Sequence, residues 1–166
     1  MTVPSTGAVL QPGEMAPDFT LPDAEGHALT LSDLRGRTVV LYFFPKAGTL
    51  GCIAEARSFR RAWRELRAQG AEVLGVSPDS VSSHQKFIRK LELPFTLLSD
   101  EEGAVAQRYG VWVQKHIYGR HYMGTARATF LIWPDGQIGN VWQQVKPQGH
   151  GIRVLEFIKS RWSAGA

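Results

Sequence analysis

The stretch Thr38 to Phe44, TVVLYFF, is a nearly unbroken run of β-branched and aromatic residues with no charge in it. Such a run reads as a strand covered on both faces, because a strand with one wet face alternates apolar with polar residues. A strand buried twice needs a layer on each side, and its neighbours in sequence can supply them. A loop, Pro45 to Gly51, leads straight into an amphipathic stretch from about Cys52 to Ala68 that Gly70 stops, with Ala56, Phe59, Trp63 and Leu66 as its apolar stripe. Glu72 to Val76 then reads as strand, Val81 to Leu91 as helix, Phe95 to Leu98 as strand and Glu101 to Tyr109 as a short helix. Gly110 to Ala126 reads as a loop. Thr129 to Trp133 and Ile138 to Val141 form a hairpin turned by Pro134-Asp135-Gly136, and a helix from about Gly151 to Trp162 closes the chain.

Strands alternating with helices and ending in an antiparallel hairpin plus helix predict an α/β fold of thioredoxin-like arrangement, a mixed central sheet flanked by helices. Upstream, Asp18 to Leu21 and His27 to Thr30 flank Pro-Asp-Ala-Glu-Gly and predict an N-terminal β-hairpin extension. The 166 residues fit one domain, 1–166, in which 1–12 are expected to be flexible. No stretch approaches the ~20 apolar residues that span a bilayer, so no membrane association is expected. The N-terminus lacks the basic and apolar regions of a secretory signal, which points to a cytoplasmic protein.

The chain has one cysteine, Cys52, in keeping with a reducing compartment; no intrachain disulfide is possible, and Cys52 acts alone or with another molecule. It stands where the loop after a buried strand enters the first turn of a helix. Free backbone N–H groups and the positive end of the helix dipole favour an anion there, so the thiolate form is favoured. Attack by that thiolate on an O–O bond builds negative charge on the leaving oxygen, which calls for fixed donors. Thr49, three residues earlier, can supply a hydroxyl, and a distant arginine a permanently charged fork. Such chemistry also needs a sulfur that solvent can reach.

Four segments together resemble a known family: PKAGTLGC at Pro45 to Cys52 followed by Glu55, SPDS at Ser77 to Ser80, LPFTLLSD at Leu93 to Asp100, and GTARATFLI at Gly124 to Ile132. In order and spacing they are similar to the Q-type peroxiredoxins, also called bacterioferritin comigratory proteins, over roughly Gly13 to Ser160. The resemblance implies that Cys52 is the peroxidatic cysteine and Thr49 a hydrogen-bond partner of peroxide and thiolate. It implies that Pro45 shields the sulfenic acid, that Arg127 holds the thiolate and polarises the peroxide, and that Glu55 helps orient the arginine. Hydrogen peroxide and small organic hydroperoxides are the implied substrates, in antioxidant defence, with the protein a monomer or weak homodimer. A resolving cysteine, where such proteins have one, lies five residues after the peroxidatic cysteine or in the next helix. Here those places hold Arg57 and Ile88. The resemblance thus implies a one-cysteine variant whose sulfenic acid is reduced by an external thiol: thioredoxin, glutaredoxin, glutathione or a similar donor. Leu50 and Ile53 depart from the family's proline and threonine.

Other readings compete. A peroxide sensor or redox relay would oxidise Cys52 and pass a mixed disulfide to a partner protein. A thioredoxin-type exchanger needs Cys-x-x-Cys, and position 55 is Glu. His27, His84, His116, His121 and His150 lack metal-ligand spacing, so neither metal nor cofactor is expected. A Cys-His hydrolase would need one of them beside Cys52. The net charge of +4 owes much to Arg57, Arg60, Arg61, Arg64 and Arg67, which read as a solvated helix face, with docking of an acidic partner as the alternative. Val111 to Tyr122 mixes aromatic and basic residues in the manner of a nucleic-acid surface, but it matches the family's loop flanking the active site, and no nucleic-acid partner is expected.

Overall fold

The computed structural model describes residues 8–165. At its centre lies β3 (Thr38–Phe43), every residue of which is buried. Side chains alternate across a strand, so Val40, Tyr42 and then Phe44 face one layer while Val39, Leu41 and Phe43 face the other. The first layer is built from α1 (Leu50–Ala68), α2 (Val81–Leu91) and α4 (His150–Gly165), which contribute Phe59, Leu66, Phe87, Val154 and Ile158. The second takes Val105, Ala106 and Tyr109 from α3 (Ala104–Arg108) and its C-cap, with Phe19 and Leu31 from the N-terminal region. Each such side chain withdrawn fully from water stabilises the fold by about 1.5–3 kcal/mol.

The sheet runs in the order β5-β4-β3-β8-β9, with β4 (Ala71–Ser77) and β5 (Thr96–Ser99) parallel to β3, and β8 (Ala128–Ile132) antiparallel to it. β9 (Ile138–Gln143) returns antiparallel beside β8. This is the mixed thioredoxin-like sheet that the alternation predicts. The N-terminal extension is a short hairpin of β1 (Thr20–Pro22) and β2 (Ala28–Thr30). Of the stretch 1–12 expected to be flexible, residues 1–7 lie outside the described residues, while Val9 and Leu10 pack against the second layer. No helix among the described residues is long and apolar enough to cross a membrane.

One element differs in kind from expectation. The segment read as a loop from Gly110 to Ala126 is a two-stranded antiparallel ribbon, β6 (Trp112–Ile117) with β7 (Arg120–Thr125), turned through Tyr118 and Gly119, both at positive φ. The ribbon stands off the main sheet with much of both faces exposed. It therefore lacks the apolar alternation by which a half-buried strand is recognised.

The α1–α4 contact depends on a missing side chain. A Cβ at Gly151 would lie 2.5 Å from the Ser58 carbonyl oxygen, and the Gly151 N–H donates to Ser58 Oγ at 2.5 Å. Backbone cannot retreat as a side chain can. Gly151→Ala is predicted to cost about 1–3 kcal/mol in urea unfolding; an unchanged midpoint would show that the two helices slide apart freely.

Candidate active site

The loop after β3 is tied down at few points. Phe44 N–H donates to Val76 O at 3.0 Å, and Ala47 N–H donates to Asp79 Oδ2 at 2.8 Å. Ser77 Oγ, at the end of β4, donates to the same carboxylate oxygen at 2.6 Å. Pro45 is half-buried where the loop begins. Thr49 is the N-cap of α1, and its side chain makes no capping bond; its hydroxyl donates instead to Lys46 O at 2.8 Å. The structure thus does not join Thr49 to Cys52. With its proton committed, the Thr49 oxygen is left with lone pairs to offer.

Cys52 is the third residue of α1, inside the first turn as expected. Glu55 follows three residues later on the same face of the helix. Arg127 comes from 75 residues away and reaches both: Nη1 donates to Glu55 Oε1 at 2.7 Å and Nη2 to Cys52 Sγ at 3.5 Å. Sheet register brings it there. Phe43, the last residue of β3, pairs with Ala128, the first of β8, so the residue preceding β8 arrives beside the loop that follows β3. Gly51 leaves room for the guanidinium, since a Cβ there would lie 2.9 Å from Arg127 Nη2. Gly51→Ala is predicted to push the flexible tip of Arg127 aside. Peroxide oxidation of Cys52 should slow roughly 10- to 100-fold with little loss of stability; stopped-flow rates equal to wild type would contradict this geometry.

The sulfur is less open than the sequence reading requires. Cys52 is 1% exposed and belongs to the buried cluster that includes Phe44, Ala56 and Phe59, with Arg127 against its sulfur. Small peroxides need a slight opening there. A bulky thiol needs the first turn itself to loosen, and Leu50, which heads the helix, is 88% exposed and packs against nothing that would resist this.

Glu55 is fully buried, and its Oε2 has no hydrogen-bond partner among the described residues. Burial pushes its carboxyl up to about 7 from the ordinary 4.5, against the opposing pull of Arg127. Tyr42, also buried, has a hydroxyl without a hydrogen-bond partner among the described residues and is held in its neutral form by burial and by the charge of Glu55. Between pH 4.5 and about 7 the folded protein keeps a proton on Glu55 that the unfolded chain has released, so this residue's contribution to stability falls as pH rises through that window. Glu55→Gln should flatten that part of the stability profile. Buried His84 and His150, both pushed down to about 4 chiefly by burial, contribute the opposite slope but do so equally in both proteins. Parallel profiles from urea melts across this range would refute the assignment.

Neither buried histidine touches Cys52: His84 lies between Ser77 Oγ and Ser99 Oγ at 2.7 and 3.2 Å, and His150 bonds Thr129 Oγ1 at 2.8 Å. The Cys-His pairing weighed above has no hydrogen bond to support it among the described residues. Lys115, which sequence reasoning placed only in a basic-aromatic stretch, lies in β6 with its side chain laid over Gly124. Burial and the charge of Arg127 push its ammonium down, and Cys52 acts on it in the opposite sense. Recognising the ribbon would have been the signal, because it folds Lys115 back toward the segment that carries Arg127.

The AhpC/TSA family pattern matches residues 12–141. The chain is 41% identical over 150 residues to the peroxiredoxin Bcp of Escherichia coli, covering 90% of this chain and 96% of that one. It is 42% identical over 147 residues to the peroxiredoxin Bcp of Bacillus subtilis, covering 89% and 94%. Among solved structures, a variant of Xylella fastidiosa PrxQ superposes with a TM-score of 0.88 at 34% identity, covering 94% of this chain and 99% of that one. The bacterioferritin comigratory protein of Xanthomonas campestris does so with a TM-score of 0.83 at 35% identity, covering 92% and 97%. With the pattern spanning most of the chain and these likenesses running nearly end to end, the chain belongs to the AhpC/TSA family, as a peroxiredoxin of its Bcp/PrxQ branch.

Proposed function

We propose that this peroxiredoxin reduces hydrogen peroxide and small organic hydroperoxides at Cys52. The sulfur, as thiolate, attacks one peroxide oxygen; the S–O bond forms, the O–O bond breaks, and the leaving hydroxide or alkoxide takes a proton to become water or alcohol. Cys52 is left as the sulfenic acid, oxidised by two electrons. An external thiol then attacks that sulfur, expelling water, and a second thiol releases Cys52 from the mixed disulfide.

The observation that carries this reading is the Arg127 fork, which grips the sulfur with one nitrogen and the buried carboxylate of Glu55 with the other. A guanidinium held in this way keeps its charge aimed at the transferring oxygens without reorganising during the reaction. Thr49 accepts the hydroxyl hydrogen of the peroxide on the lone pairs that its bond to Lys46 leaves free. Pro45 shields the sulfenic acid from the loop side, and Glu55 positions Arg127. The reductant is thioredoxin or a glutathione-type thiol, the compartment the cytoplasm, and the role antioxidant defence by a monomer or weak homodimer.

Intact mass after one equivalent of peroxide tests the reading, with and without candidate thiols. A gain of one oxygen, reversed by a thiol and repeated over many equivalents, is expected. Oxidation that stops near one equivalent with every thiol supplied would make the protein a sensor or relay instead.

A further inference from the structure

We infer that the exposed face heading α1 is the docking surface for an acidic dithiol protein that recycles Cys52, an inference that rests on the peroxidase reading above. The chain has no second cysteine, so in every turnover the reducing sulfur must come from outside to the first turn of α1. The exposed side of α1, across the helix from the face that carries Cys52, presents a bare leucine and a band of cations. At 100° per residue, Leu50, Arg57, Arg61 and Arg64 fall within about 60° of one another around α1. All four are exposed, Leu50 at 88%.

Among the described residues none of these arginines has an ion-pair partner, and the one exposed acid of the helix, Glu65, is taken by Lys159 at 2.9 Å. Arg57, Arg60 and Arg61 line an open depression of about 480 Å³. On the side of the active-site loop, a second groove of about 180 Å³ runs along Ala47 and Gly48, with Lys86 and Lys90 of α2 in its wall. Leu50 follows the loop that carries Ala47 and Gly48 and heads the helix that carries the three arginines. An apolar contact rimmed by unpaired charge of one sign is the anatomy of an interface, and the sign selects an acidic partner.

Size favours a protein over a small anionic thiol. From Leu50 to Arg64 the helix rises about 21 Å, on the scale of a protein footprint of roughly 800 Å². The chemistry balances with a dithiol. Its first thiolate attacks the Cys52 sulfenic sulfur, forming an S–S bond as the S–O bond breaks and water leaves with a proton. Its second thiol then displaces Cys52 as thiolate, and the partner departs as the disulfide, having supplied two electrons.

The test uses full-length protein, hydrogen peroxide and, as probe, reduced thioredoxin of net negative charge, beside dithiothreitol and glutathione. For wild type, kcat/KM for thioredoxin should fall steeply with salt. In Arg57→Glu/Arg61→Glu it should be roughly 10- to 100-fold lower and nearly independent of salt. Single-turnover oxidation by peroxide and recycling by neutral dithiothreitol should be unchanged, which also shows the variant to be folded. Equal thioredoxin kinetics and salt slopes in the two proteins would overturn the inference. So would wild type that thioredoxin recycles no faster than dithiothreitol, or a loss with glutathione as large as that with thioredoxin. Wild type that takes up no oxygen from peroxide would sink the peroxidase reading too, a result visible before any reductant is added.

Discussion

Cys52→Ser is expected to consume no peroxide above the uncatalysed background. A serine oxygen in the same place is a poor nucleophile because it stays protonated, and no other sulfur capable of forming a sulfenic acid exists in the chain. The fold should survive, since the smaller hydroxyl keeps Arg127 Nη2 as a donor in place of the 3.5 Å contact to sulfur. A penalty of about 1–3 kcal/mol is expected for placing a hydroxyl in the cluster that holds Cys52. The checks are peroxide consumption with excess reductant and intact mass after peroxide, where the variant should gain no oxygen. Turnover near that of wild type would remove Cys52 from the mechanism and the proposed chemistry with it.

Arg127→Ala should leave an enzyme that still oxidises at Cys52 but about 10²–10³-fold more slowly, the usual loss when one preorganised donor to a developing negative charge is removed. The same change strips Glu55 of its only hydrogen-bond partner among the described residues, in a fully buried site. Breaking a buried pair on one side is ordinarily strongly destabilising. Here the cost is softened, because a carboxyl already pushed up to about 7 can take a proton and sit there neutral. The two roles separate in the double variant. Arg127→Ala/Glu55→Gln should recover stability relative to Arg127→Ala without recovering rate. A single variant with wild-type stopped-flow kinetics, or a double variant that regains the rate, would show that the guanidinium serves structure and not catalysis.

Much of this site lies in a continuous stretch of chain, and that part was readable. Pro45, Thr49, Cys52 and Glu55 fall within eleven residues, and a β-branched run followed by a short loop and an amphipathic helix places them with few alternatives. The exposed arginines of α1 were likewise evident from helical spacing, and all five are on the solvent side. The ribbon from Trp112 to Thr125 was not. Its pairing is a cross-strand relation, and with both faces wet its composition carries no period by which a local reading could detect it.

The direction of the Thr49 hydroxyl was also beyond local reading. A hydroxyl three residues before Cys52 has several carbonyls and one sulfur within reach, and which it serves depends on the turn the loop adopts. Burial of the sulfur to 1% exposure, within the cluster between α1 and the sheet, is again a matter of packing.

Local patterning by itself determined the α/β class, the order of the elements outside the Trp112–Thr125 ribbon and the cysteine at a helix start, because periodicity and turn chemistry act between residues close in the chain. Only the tertiary structure decided that Arg127 meets Cys52 and Glu55, that Glu55 is left with an orphaned oxygen, and that Leu50 stands bare among cations. Those relations are set by the pairing of β3 with β8 and by the packing of α1 onto the sheet, long-range contacts whose partners no local period encodes.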